Sequence, residues 1–63
     1  MSNFAANLRA ARLKAELTQV QAARRAKIAQ SSWCEYERGM KAPSMDQAER
    51  LAKAVGRGLR ELI

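Results

Sequence analysis

One cysteine and no histidine leave this chain of 63 residues without a staple. Cys34 has no partner for an internal disulfide, and a lone thiol without histidine cannot complete a zinc site. A chain this short buries only about 60% of the surface its unfolded form exposes. Domains of that size rely on well-packed helices, on covalent or metal staples, or on association. With the staples excluded, helix packing remains, together with a second subunit. A single free thiol also suits a reducing cytoplasm, the expected compartment.

The sequence is punctuated for short helices. Alanine recurs throughout, β-branched residues are scarce, and Pro43 is the only proline. Ser2 or Asn3 can cap a first helix, in which Phe4, Leu8, Ala11 and Ala15 recur at helical spacing before it fades near Glu16 and Leu17. Thr18 and Gln21 then form a capping-box pattern, which starts a second helix with Ala22, Ala23 and Ala26 inward and Arg24 and Arg25 outward. Lys27, Ile28 and Ala29 make a short break. A third helix is expected over Gln30–Arg38, with Trp33, Tyr36 and Glu37 on one side. Gly39 ends it, and residues 40–43 form a loop. Ser44 and Gln47 repeat the capping box, and Met45, Ala48, Leu51, Ala52 and Val55 give the fourth helix an apolar stripe that stops at Gly56. Residues 58–63 add a last helical turn or two, with Leu59, Leu62 and Ile63 on an apolar face. The expected fold is all-α: a compact domain of four to five helices over residues 1–63.

Charge narrows the partner. Twelve Lys and Arg stand against six Asp and Glu, a formal net charge of +6. Such an excess points to a polyanion, either nucleic acid or an anionic membrane surface. It is concentrated in residues 1–41, where Arg9, Arg12, Lys14, Arg24, Arg25, Lys27, Arg38 and Lys41 face only Glu16, Glu35 and Glu37. The basic residues are spread over several punctuated helices rather than along one amphipathic stripe, which argues against a membrane-surface peptide. No apolar run approaches membrane-spanning length, and the N-terminus lacks the pattern of a signal peptide. Catalysis is equally hard to build, since there is no histidine, no glycine-rich phosphate cradle and no cysteine–histidine pair.

The segment from Leu17 to Gly39 resembles the helix-turn-helix of the lambdoid phage repressor and Cro family (XRE-type), with the motif at about residues 18–38. Leu17, Thr18, Gln19, Ala23, Ile28, Glu37 and Gly39 match the family pattern, as do Lys41-Ala-Pro-Ser44, Leu51-Ala-Lys-Ala-Val-Gly56 and Leu59-Arg-Glu-Leu62. The resemblance implies a lambda-repressor-like DNA-binding domain whose third helix enters the major groove of double-stranded DNA. It places Ala29, Gln30, Ser31 and Glu35 toward base edges. Gln30 could pair with an adenine, Ala29 could touch a thymine methyl, and Glu35 could accept from a cytosine amino group. Gln19, Arg38 and Lys41 take phosphate-holding positions, and Arg12 and Glu37 take those of an ion pair between the first and third helices. Trp33 is expected in the core rather than stacked on a base, and nothing marks Cys34 as a redox switch.

This chain departs from the family in several respects. Lys27 stands where glycine is usual, and a positive φ there costs a lysine roughly 1 kcal/mol or more. Ala22 and Ala26 are small, and Trp33 and Tyr36 are large enough to refill the volume. Gly58 replaces a capping serine, which weakens the last turn. Glu35 brings negative charge to the DNA-facing side. The resulting expectation is a sequence-specific regulator of transcription, a repressor acting as a homodimer through Leu59, Leu62 and Ile63, with no cofactor or metal. The alternative is a protein-interaction module, such as the antitoxin of a toxin–antitoxin pair.

Overall fold

A computed structural model describes residues 3–63 and contains four α-helices: α1 (Phe4–Lys14), α2 (Gln19–Ala26), α3 (Gln30–Glu37) and α4 (Met45–Ala54). A 3-10 turn (Leu59–Glu61) closes the chain, and there is no strand among the described residues. The all-helical expectation holds, with the final segment reduced to that one turn. Gly58 has no side chain to cap it, so only the Glu61 carboxylate acts there, accepting from the Gly58 N–H at 2.7 Å.

Side-chain chemistry starts α2 and α4. The Thr18 hydroxyl accepts from the Gln21 N–H at 3.1 Å, while the Gln21 side-chain oxygen accepts from the Thr18 N–H at 2.9 Å. Ser44 and Gln47 make the same reciprocal pair at 3.3 and 3.2 Å. These bonds satisfy donors that a helix start leaves orphaned. Asn3 sits at the cap position of α1 without a side-chain cap bond, and Ser2 lies outside the described residues.

All four helices stop by one device. Glu16, Lys27, Gly39 and Gly56 adopt left-handed backbone with φ of 59°, 59°, 73° and 73°. The next N–H in each case reaches back over the last turn: Leu17 to Arg12 O, Ile28 to Ala23 O, Met40 to Glu35 O and Arg57 to Ala52 O. This is the Schellman closure, which glycine makes without strain. Lys27 takes the strained conformation expected of it, whereas the same conformation at Glu16 carried no sequence signal. Lys27→Gly relieves a penalty of about 1–2 kcal/mol but loosens the unfolded chain by up to about 1 kcal/mol. A net gain of up to about 1 kcal/mol is expected in urea unfolding, and a clear loss would show that the Lys27 side chain contributes more than its strain removes.

The core gathers Leu8 and Ala11 from α1, Ala22, Ala23 and Ala26 from α2, Trp33 and Tyr36 from α3, and Leu51, Ala52, Ala54 and Val55 from α4 with its cap, together with Leu62. Phe4, Leu17 and Ile28 pack against its edge. Trp33, Leu8 and Leu51 are its largest fully buried side chains. The three alanines of α2 share this cluster with the two large aromatics of α3, as volume conservation requires.

Four expectations about faces are corrected. Met45 is 67% exposed, because it is the first residue of α4 and the buried stripe begins only at Ala48. Ala15 is exposed just beyond α1, where the chain has already turned. Ala54, absent from the expected stripe, is buried. Leu62 lies in the core at 2% exposure and its carbonyl accepts from the Asn7 side chain at 2.8 Å, so it is not free to line a dimer face. Leu59 remains half-buried and Ile63 is exposed.

Candidate nucleic-acid interface

Helix α3 has two contrasting sides. Trp33, Tyr36 and Glu37 recur at helical spacing and are buried. Gln30, Ser31, Glu35 and Arg38 are exposed, and Cys34 is half-buried between the two sides. Ala29, the residue before the helix, is exposed and has no side chain that can cap. Sequence-predicted base-contacting positions Ala29, Gln30, Ser31 and Glu35 therefore share one solvent-facing surface at α3.

That surface is held from beneath by a buried carboxylate. Glu37 accepts from Arg12 Nε at 2.5 Å and from Arg12 Nη2 at 3.1 Å, a bidentate pair with both side chains largely hidden from water. Arg12 Nη1 also donates to Leu17 O at 2.9 Å, which fixes the turn between α1 and α2. The Trp33 indole N–H donates to Glu37 Oε2, and Gln19 Nε2 donates to Glu37 Oε1 at 3.1 Å. Burial pushes the Glu37 carboxyl up, but the bonds from Arg12, Trp33 and Gln19 and the Arg12 charge outweigh it. The group stays below the ordinary glutamate range.

The network reaches the exposed surface through Gln19. Its side-chain oxygen accepts from Gln30 Nε2 at 3.1 Å, so a continuous chain of bonds runs from Arg12 and Glu37 through Gln19 to Gln30. Each amide keeps free capacity. Gln19 retains one N–H, while Gln30 retains one N–H and its oxygen, the donor and acceptor an adenine edge requires.

At the other end of α3, Arg38 is exposed and follows the helix directly. Lys41 is exposed too, with its ammonium 5.6 Å from the centroid of the Tyr36 ring, a cation–π distance. The Tyr36 hydroxyl donates to Gln47 Oε1 at 3.1 Å, tying α3 to the start of α4. Arg50 Nη2 donates to Ala26 O at 2.8 Å and supports the turn between α2 and α3. Sequence reasoning missed Gln47 and Arg50 in these roles. The spacing of Trp33 and Glu37, four apart on one helix face, was a readable signal for their bond.

The helix-turn-helix domain model matches residues 3–62. The chain belongs to that family. The helix-turn-helix domain is similar to the restriction-modification controller protein C.AhdI from Aeromonas hydrophila, with 30% identity over 95% of this chain and 91% of that one, at a TM-score of 0.90. It also shares its fold with the clp gene regulator ClgR from C. glutamicum, at 24% identity, 94% and 77% coverage and a TM-score of 0.89. No curated protein matches the sequence. The resemblance to XRE-type regulators read from the sequence stands, and the fold is that of DNA-binding regulators. Among the described residues, no helix of this helix-turn-helix domain is long and apolar enough to cross a membrane, and no group of His, Cys, Asp and Glu could hold a metal ion.

Proposed function

We propose that this domain is a sequence-specific regulator of transcription, a repressor, which binds duplex DNA as a homodimer with α3 in the major groove. The observation that carries the proposal is the bond chain from the buried Arg12–Glu37 pair through Gln19 to Gln30. A side chain that reads a base must be held in one geometry before it meets DNA, and a fixed supporting shell does this. Gln30 reads an adenine in this scheme, Ser31 and Ala29 line the same base edges, and Glu35 selects a cytosine amino group or repels the groove. Gln19, Arg38 and Lys41 hold phosphates and so set register rather than sequence. Similarity to a restriction-modification controller supports the regulatory class. One domain of this size reads one half-site, so two copies supply useful affinity, with exposed Ile63 and half-buried Leu59 in the interface.

Selection of bound sequences from random duplex DNA tests this. A two-fold symmetric consensus with half-site centres about 34 Å apart is expected. A single short asymmetric site bound one-to-one would remove the dimer, and enrichment of no sequence would remove base reading.

A further inference from the structure

A second charged surface lies between α2 and α4. The end of α2 and the last turns of α4 enclose a hollow of about 350 Å³, lined by Arg25, Ala26, Lys27, Arg50, Lys53 and Ala54. Its four polar residues are all cationic and all exposed, and α3 contributes none of the lining. Ala26 and Ala54 are buried at 3% and 4% exposure, so the hollow is walled mainly by the stems and heads of the four basic side chains. Among the described residues the ion pairs are Arg12–Glu37 and Arg57–Glu61, so none of these four cations is held in an ion pair, although Asp46 and Glu49 line the neighbouring hollow together with Arg50 and Lys53. Like charges left together repel, by amounts comparable to what opposite pairs gain. A partner that neutralises the cluster relieves that repulsion.

We propose that this hollow docks an acidic segment of a partner protein. Charge complementarity sets the sign of the partner, and shape sets its class. A duplex offers an evenly charged convex ridge of phosphates. A hollow walled by basic side chains and their aliphatic stems accepts instead a glutamate or aspartate side chain with a small apolar neighbour beside it. Arg50 is the fixed element, since its Nη2 is anchored on Ala26 O and Lys27 O at 2.8 and 3.4 Å. Its Nε and Nη1 groups remain to donate to a carboxylate at little further entropy cost. Arg25, Lys27 and Lys53 complete the rim. The lining contains no residue of α3, so a partner docked there would leave that helix free for DNA.

The probe is a short fluorescein-labelled peptide of glutamate and leucine, followed by fluorescence anisotropy on the intact chain. Arg25→Gln/Lys53→Gln is expected to weaken its binding about tenfold, the loss of two exposed ionic contacts. Lys14→Gln/Arg60→Gln removes the same net charge from exposed sites elsewhere and is expected to change binding much less. Both variants should show wild-type circular dichroism. Duplex DNA at saturation should leave the peptide bound. Equal weakening by the two variants would reduce the effect to overall charge and overturn the proposal. Displacement of the peptide by duplex would overturn it too, as would a loss of DNA affinity in Arg25→Gln/Lys53→Gln beyond that of Lys14→Gln/Arg60→Gln, since the hollow would then hold phosphates.

Discussion

Trp33→Ala is expected to leave the domain at or beyond the edge of unfolding. Truncating a fully buried tryptophan costs about 3–5 kcal/mol, and a domain of this length holds only about 3–9 kcal/mol in total. Trp33 has no exposed surface, and it shares the core with three α2 alanines that offer no bulk to fill the void. The substitution also removes the indole N–H from Glu37. Trp33→Phe helps to separate these effects, because it keeps most of the aromatic volume while removing the donor. It should cost about 1–3 kcal/mol, the price of a weakened buried hydrogen bond. Thermal melts followed by circular dichroism read both variants, since Trp33 is the only tryptophan. A Trp33→Ala protein that melts within a few degrees of wild type would show that the aromatic side chain does not organise the core.

The second large effect belongs to the Arg12–Glu37 pair. Arg12→Met strands a carboxylate whose side chain is 2% exposed, and it leaves Leu17 O without its guanidinium donor. Glu37→Gln strands the guanidinium. Each single change is expected to cost roughly 3–5 kcal/mol, because an unpaired charge stays behind. The double variant should lose less than the sum, with a coupling of about 1–3 kcal/mol in a urea-unfolding cycle. Additive losses would mean that the pair does not act as a unit. Acid sensitivity follows from the same group. The folded Glu37 carboxyl titrates below its unfolded value near 4.3, so its stabilisation is present above that pH and is lost as the pH falls through the lower folded value. Glu37→Gln should lose this part of the acid dependence and keep whatever remains.

The parts of the fold that could be read from sequence rest on short-range chemistry. Thr18 with Gln21 and Ser44 with Gln47 are three residues apart, so each capping box is complete within one turn. The left-handed Lys27 could be read because the resemblance marks that site as a glycine position. Glu16 adopts the same φ with no such marker. Most of the other parts that could not be read depend on pairing between distant elements, and the distant Arg12–Glu37 pair was legible only through the resemblance. Arg50 on the Ala26 and Lys27 carbonyls, Asn7 on Leu62 and Tyr36 on Gln47 each need a register between helices that periodicity does not carry. Leu62 and Ile63 show the same limit, since adjacent apolar residues after a glycine carry no sign of which one turns inward. At the candidate interface, the outward set followed from helical spacing once Trp33 and Tyr36 were placed inside. The bond from Gln30 to Gln19 did not, because it spans the turn.

Binding isotherms of wild type, Gln30→Ala and Lys41→Ala, on a selected duplex and on a scrambled one at several salt concentrations, test most directly whether α3 reads DNA. Gln30→Ala should lose roughly 1–3 kcal/mol on the selected duplex and little on the scrambled one, because one base contact disappears. Lys41→Ala should weaken both alike and make the salt dependence shallower by about one unit, because one fewer counterion is released. Identical behaviour of the two variants on both duplexes would contradict reading by α3.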